Sequence, residues 1–328
     1  YVGGLVGFVN SFDESSSLVV ERNRSAVQIN LPFSKEVYAG GLLGNVRQGY
    51  ATIYANKVRP STSTDATNAD DERLIDLSAT SMDFAYVGGI IGRAEFYGYG
   101  FFLYNNSVYG SIYVAASSFA GVPTTALDSS AVGGVVGLVV AERVQSEIVG
   151  NSVIGGVVVP LYKFGSTACR VGYVAGMVYA DNMTFDVLGN FHYNNKDENV
   201  VRPVGGFGVG FDIAEDLTGE NDGYMYNYRN SIYNGTTAVL KEDGVDLFGG
   251  RGCIANGLTK YCNPVIPGDS MRTRSFTYEL NVRGRDNLFW ENDSKNDGLP
   301  YLTDSRTVYR IILDVSYFTN SDQTGYTN

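Results

Sequence analysis

Tyr86-Val87-Gly88-Gly89-Ile90-Ile91-Gly92 is the phrase on which the fold turns, because the chain says it again and again. It stands first as Tyr1-Val2-Gly3-Gly4-Leu5-Val6-Gly7, then as Tyr38-Ala39-Gly40-Gly41-Leu42-Leu43-Gly44 and Ala131-Val132-Gly133-Gly134-Val135-Val136-Gly137. A worn copy follows at Val171-Gly172-Tyr173-Val174-Ala175-Gly176, a distorted one at Val204-Gly205-Gly206-Phe207-Gly208, and a trace at Phe248-Gly249-Gly250. Taken at the first glycine, the steps are 37, 48, 45, 39, 33 and 44 residues. A period in this range marks a repeat architecture.

Outside the phrase, apolar runs are short and β-branched, as at Val153 to Val159 and Val308 to Val315, and Gly, Asn, Ser and Asp punctuate them. That pattern reads as many strands and turns. Set out at period two, the phrase is apolar or bare on both faces, the expectation for a strand buried on both sides. Glycine weakens such a strand unless another backbone comes close. A second signal follows the first: Gly92 to Asn106, Gly137 to Asn151 and Gly176 to Asn190 are each 14 residues, while Gly44 to Asn56 is 12 and Gly7 to Asn23 is 16. Asparagines at one place in every layer can stack as an amide ladder, and can take the left-handed conformation of a corner.

Together these features predict an all-β chain, a right-handed parallel β-helix of about six to seven coils over residues 1–260, closed by less regular capping strands over 261–328. At about 4.8 Å per coil the stack would be about 30 Å tall. Gly3, Gly4, Gly7, Gly40, Gly41, Gly44, Gly88, Gly89, Gly92, Gly133, Gly134, Gly137, Gly172 and Gly176 are its expected structural positions, with Asn106, Asn151 and Asn190. Uneven steps then mean loops of unequal length, of which Arg59 to Leu77 is the clearest.

Composition excludes several classes. The 40 glycines are about 12% of the 328 residues, but without a Gly-X-Y period, and 24 Tyr and 17 Phe argue against disorder. A formal charge of −11 repels polyanions, so nucleic acid is not an expected partner. No run reaches the 18 apolar residues that suggest a membrane helix. The chain opens inside a repeat and without methionine, which reads as a processed portion of a longer, secreted protein. Three cysteines are too few for a disulfide scaffold. Cys253 and Cys262 flank the turn signal Asn256-Gly257 and are a candidate bridge in an oxidising compartment, with Cys169 left as a small apolar residue.

Catalytic signatures are thin. His192 is the only histidine, there is no His-Glu-x-x-His and no Gly-x-Ser-x-Gly, so His192 is expected to be an ordinary surface or corner residue. Gly205-Gly206-Phe207-Gly208-Val209-Gly210 lacks the Gly-Lys-Ser/Thr of a phosphate loop. Acids cluster at Asp70, Asp71 and Glu72, at Glu215, Asp216, Glu220 and Asp222, and at Glu242, Asp243 and Asp246, but at no coil spacing. The stretch from Asp293 to Asp304 imitates a twelve-residue calcium loop, with Lys295 and Pro300 against it. No cofactor or metal is expected. Asn23, Asn105, Asn182, Asn234 and Asn292 open Asn-x-Ser/Thr sequons and are candidate N-glycosylation sites, a number chance supplies in a chain this rich in those residues.

Val-Gly-Gly-Leu-Val-Gly followed by an Asn-Ser strand resembles the GLUG repeat of bacterial surface proteins, which include large adhesins and the non-catalytic stalk of immunoglobulin A proteases. Phe289-Trp290-Glu291 and Gly298-Leu299-Pro300-Tyr301-Leu302 are similar to the phrase that closes such arrays, with Leu299 in place of a tyrosine. The resemblance covers about residues 1 to 305 and implies a scaffold displayed at the cell surface, without the peptidase. The expected function is therefore a non-enzymatic extracellular subunit of a fibre, filament or stalk, self-associating through solenoid ends. The alternatives are an adhesin domain binding glycans or host proteins and, third, a β-helix polysaccharide lyase or hydrolase.

Overall fold

A computed structural model of the chain describes residues 1–11, 16–31, 35–61, 73–77, 82–114, 130–142, 146–158, 169–172, 174–181, 184–194, 213–215 and 224–234, followed by short strands between 241 and 264 and by residues 271–283, 290–291 and 299–302. It is a parallel β-helix. One wall is a five-stranded parallel sheet of Val2–Gly3, Glu36–Gly40, Phe84–Gly88, Ser130–Gly133 and Cys169–Gly172. A fourteen-stranded sheet curls around most of the remainder, and a four-stranded sheet closes the coil. Register is copy on copy: Tyr86 lies opposite Tyr38 and Ala131, and Gly88 opposite Gly40 and Gly133.

The interior is built of columns, one residue per coil. Val20, Ile53, Leu103 and Ile148 stack in register, as do Ile29, Ile75, Ile112 and Val157. All belong to one continuous apolar core. Each such side chain contributes about 1.5–3 kcal/mol when fully buried, and no coil can bury its own without a neighbour.

The repeated phrase departs from the expected rung. Its strand ends at Gly88 and a new one starts at Ile91, so the double glycine is a corner between two sheets. A Cβ on Gly88 would fall on the carbonyl oxygen of Ile91, and one on Gly89 would fall on that of Gly134 in the next coil and 2.5 Å from Val108 Cγ1. A Cβ on Gly92 would lie 2.7 Å from the Ala39 nitrogen. Close approach of backbone, and not an unusual dihedral, demands all three glycines.

Three further expectations change. Within the stretch read as one loop, Arg73–Leu77 is a strand, with Leu74, Ile75 and Leu77 fully buried, because its short apolar pattern fits the closing sheet. The carboxyl-terminal segment contains the helix Arg274–Arg283, not strands alone. Phe276 and Leu280, four apart on one helix face, pack with Met271 against Val149, Ile154, Phe191 and Tyr193 on the solenoid's flank. The left-handed corner residues are not the ladder asparagines but those before them: Arg22, Ala55, Asn105 and Gly150, with φ of 56°, 55°, 53° and 63°.

Candidate functional site

The chemistry-bearing residues are dispersed. His192 is fully buried, in column with Val58, Val108 and Val153, so it is a core residue and not a surface one. Its Nε2 lies 2.9 Å from the Gly155 carbonyl, which satisfies the ring inside the wall. Glu215, Glu242 and Asp246 lie on short strands. The other acids of those clusters, Gly205 to Gly210, Phe248 to Gly250, the stretch from Asp293 to Gly298, Asp304, Cys253 and Cys262 fall outside the described residues. Arg251–Gly252 and Asn263–Pro264, which bracket the two cysteines in sequence, pair antiparallel. Among the described residues no three His, Cys, Asp or Glu side chains converge as a metal set.

Two acids unremarked in the sequence are buried on the sheet. Glu95, 3% exposed, is held by Arg47 at 2.6 Å from the coil before and by Arg93 beside it. Arg93 also lies over the rings of Tyr86 and Tyr38, at 5.3 and 5.9 Å. Glu147 accepts a 2.6 Å bond from the Tyr104 hydroxyl. Arg93-x-Glu95 alternation in an apolar strand was the available signal, but the decisive partner, Arg47, is a whole coil away in sequence.

The asparagines converge most. Asn23, Asn56, Asn106, Asn151 and Asn190 occupy one corner of five successive coils. From Asn23 to Asn151, each donates both its backbone N–H and its Nδ2 to the Oδ1 of the next, at 2.8–3.1 Å. The second amide hydrogen of Asn56, Asn106, Asn151 and Asn190 reaches back to Val20, Ile53, Leu103 and Ile148 carbonyls respectively. Of the sequons, Asn105 is 3% exposed and Ser107 1%, so the folded coil has no room for a glycan there. Asn234 ends the strand Tyr224–Asn234. Asn182 and Asn292 lie outside the described residues. Asn23 is half-buried at the first coil.

That first coil is where the surface changes character. Tyr1 is 61% exposed, Leu5 52%, Phe8 41% and Val19 60%, whereas Tyr38 and Leu42, one coil on from Tyr1 and Leu5, are 9% and 0%. Tyr1 stacks on Phe8 at 4.7 Å and begins a ring column continuing to Tyr38 and Tyr86. Among the described strands, those of the first coil pair on one edge only. No family model, curated protein or solved structure matches the chain.

Proposed function

We propose that the protein is a non-enzymatic structural element of an extracellular fibre or stalk, joined to its neighbours by coil-on-coil stacking. The observation that carries this reading is the regular stack itself, in which each coil buries its apolar columns and its corner asparagine against its neighbours. The resemblance of the phrase to surface-protein repeats supports display outside the cell. Light scattering from 1 to 100 times a starting concentration of about 1 µM should show growing particles, and negative-stain microscopy should show rods longer than one chain. Particles of constant single-chain mass would refute the reading.

A second reading rests on a row of half-buried aromatic residues on two strands of the large sheet, Leu43–Tyr54 and Ile91–Tyr104. Tyr50 and Phe102 have ring centroids 5.6 Å apart, and Phe102 and Tyr104 5.7 Å. Such rings offer stacking faces to sugars, which favours a glycan-binding adhesin. Glycan-array binding lost on Phe102→Ala, with the fold intact, would select it.

A further inference from the structure

The outer face of the large sheet carries one patch in which rings and polar groups are ordered together. Along Leu43–Tyr54 and Ile91–Tyr104 the side chains alternate. Ala51, Ile53, Phe101 and Leu103 are fully buried in the core, so Tyr50, Thr52, Phe102 and Tyr104 face outward. Phe102 lies opposite Thr52 of the coil before and Glu147 of the coil after. The rings of Tyr50 and Tyr104 flank it, with centroids 5.6 and 5.7 Å away. Tyr50 pairs with Gly100, so the row runs about 13 Å along the strands to Tyr104, the length of about two sugar rings.

The two phenols beside Phe102 have opposite hydrogen-bonding roles. Thr52 Oγ1 donates to the Tyr50 hydroxyl oxygen at 2.9 Å, which leaves that phenol its own hydrogen to give. Tyr104 gives its hydrogen to Glu147 Oε2 at 2.6 Å, the length of a bond from a hydroxyl to a carboxylate. Its oxygen is then an acceptor only. Thr52 and Glu147 thus act through the tyrosines as positioning residues, one making a donor and the other an acceptor on either side of an apolar ring. Glu147, 1% exposed, also sets a carboxylate behind the acceptor end.

We infer that this patch binds uncharged pyranose sugars and rejects acidic ones. The inference deepens the glycan-binding reading and rests on it. A pyranose has an apolar C–H face to lay on the Phe102 ring. Its edge hydroxyls both accept and donate, so one accepts from Tyr50 while another donates to Tyr104. A carboxylate or sulfate group brings acceptors and no donor, which cannot pair with Tyr104, and Glu147 repels it. A purely apolar ligand would cover both phenols without pairing them, a cost that selects against it.

The test is an array of neutral oligosaccharides beside their uronate, sialylated and sulfated counterparts, followed by calorimetry on the neutral sugar that binds best and its acidic counterpart. The full chain should bind the neutral sugar at least about tenfold more tightly than the acidic one. Tyr50→Phe and Tyr104→Phe should each weaken neutral binding about tenfold with the melting temperature unchanged. Glu147→Gln offers Tyr104 an amide donor and frees its hydrogen, so the variant should lose neutral affinity and narrow the gap to the acidic sugar. A merely structural Glu147 would lower the melting temperature and leave that ratio alone. Should Glu147→Gln fail to fold, the two phenol variants decide. Acidic sugars bound as tightly as neutral ones, or neutral binding unmoved by both phenol variants, would overturn the inference while glycan binding stands. If folded wild type binds no sugar at all, both fall.

Discussion

At Gly89 a methyl group has nowhere to go. The obstacles are the carbonyl of Gly134 and the Val108 side chain, and backbone cannot rotate aside as a side chain can. Gly89→Ala should therefore cost about 3 kcal/mol, the upper end of ordinary overpacking, and denaturant melts would measure it. The left-handed corner gives the opposite sign. Ala55 has φ 55° where the equivalent residue two coils on is Gly150. Left-handed backbone costs a non-glycine residue about 1–2 kcal/mol, and glycine's extra chain entropy offsets about 0.5–1 of that. Ala55→Gly should raise the melting temperature slightly, and a fall would show that the methyl makes a contact worth more than the strain.

Between coils, the asparagine ladder concentrates polar stability in one buried file. Replacing Asn106 with Leu strands the donors of Asn56 and leaves the Ile53 carbonyl without its amide partner. At about 1–3 kcal/mol for each stranded group, Asn106→Leu should be among the most damaging single changes, whereas Asn23→Leu, at the half-buried end, should cost much less. Equal losses at the two positions would mean that the ladder is not cooperative. This element was legible in sequence because the spacing from glycine to asparagine is 14 residues in three coils, while the steps between coils vary. The double glycine was found but misread, since a pattern bare on both faces fits a buried strand and a tight corner alike. Arg73–Leu77 hid behind a polar approach, and the Arg47–Glu95 pair hid because sequence distance conceals stacking distance.

For the molecule as a whole, the flank matters as much as the end. The helix Arg274–Arg283 belongs to a cluster against which Tyr104 and Tyr109 pack. Burial pushes the Tyr109 phenol up to about 12, against a weaker lowering by its hydrogen bond with Ser107. A phenol harder to ionise in the folded chain stabilises that chain below pH 10. The contribution is lost as pH rises from the unfolded value through about 12. Alkaline titration followed by circular dichroism should show loss of structure across that window, and Tyr109→Phe should shift the loss upward. A variant unfolding at the same pH would place the sensitive group elsewhere.

The asparagine ladder has an electrical consequence. The side-chain amides of Asn56, Asn106, Asn151 and Asn190 all turn Oδ1 toward the preceding coil, so their dipoles add along the axis, as peptide units do in an α-helix. This file of side chains is thereby a small axial dipole inside a β structure, with its negative end toward the first coil.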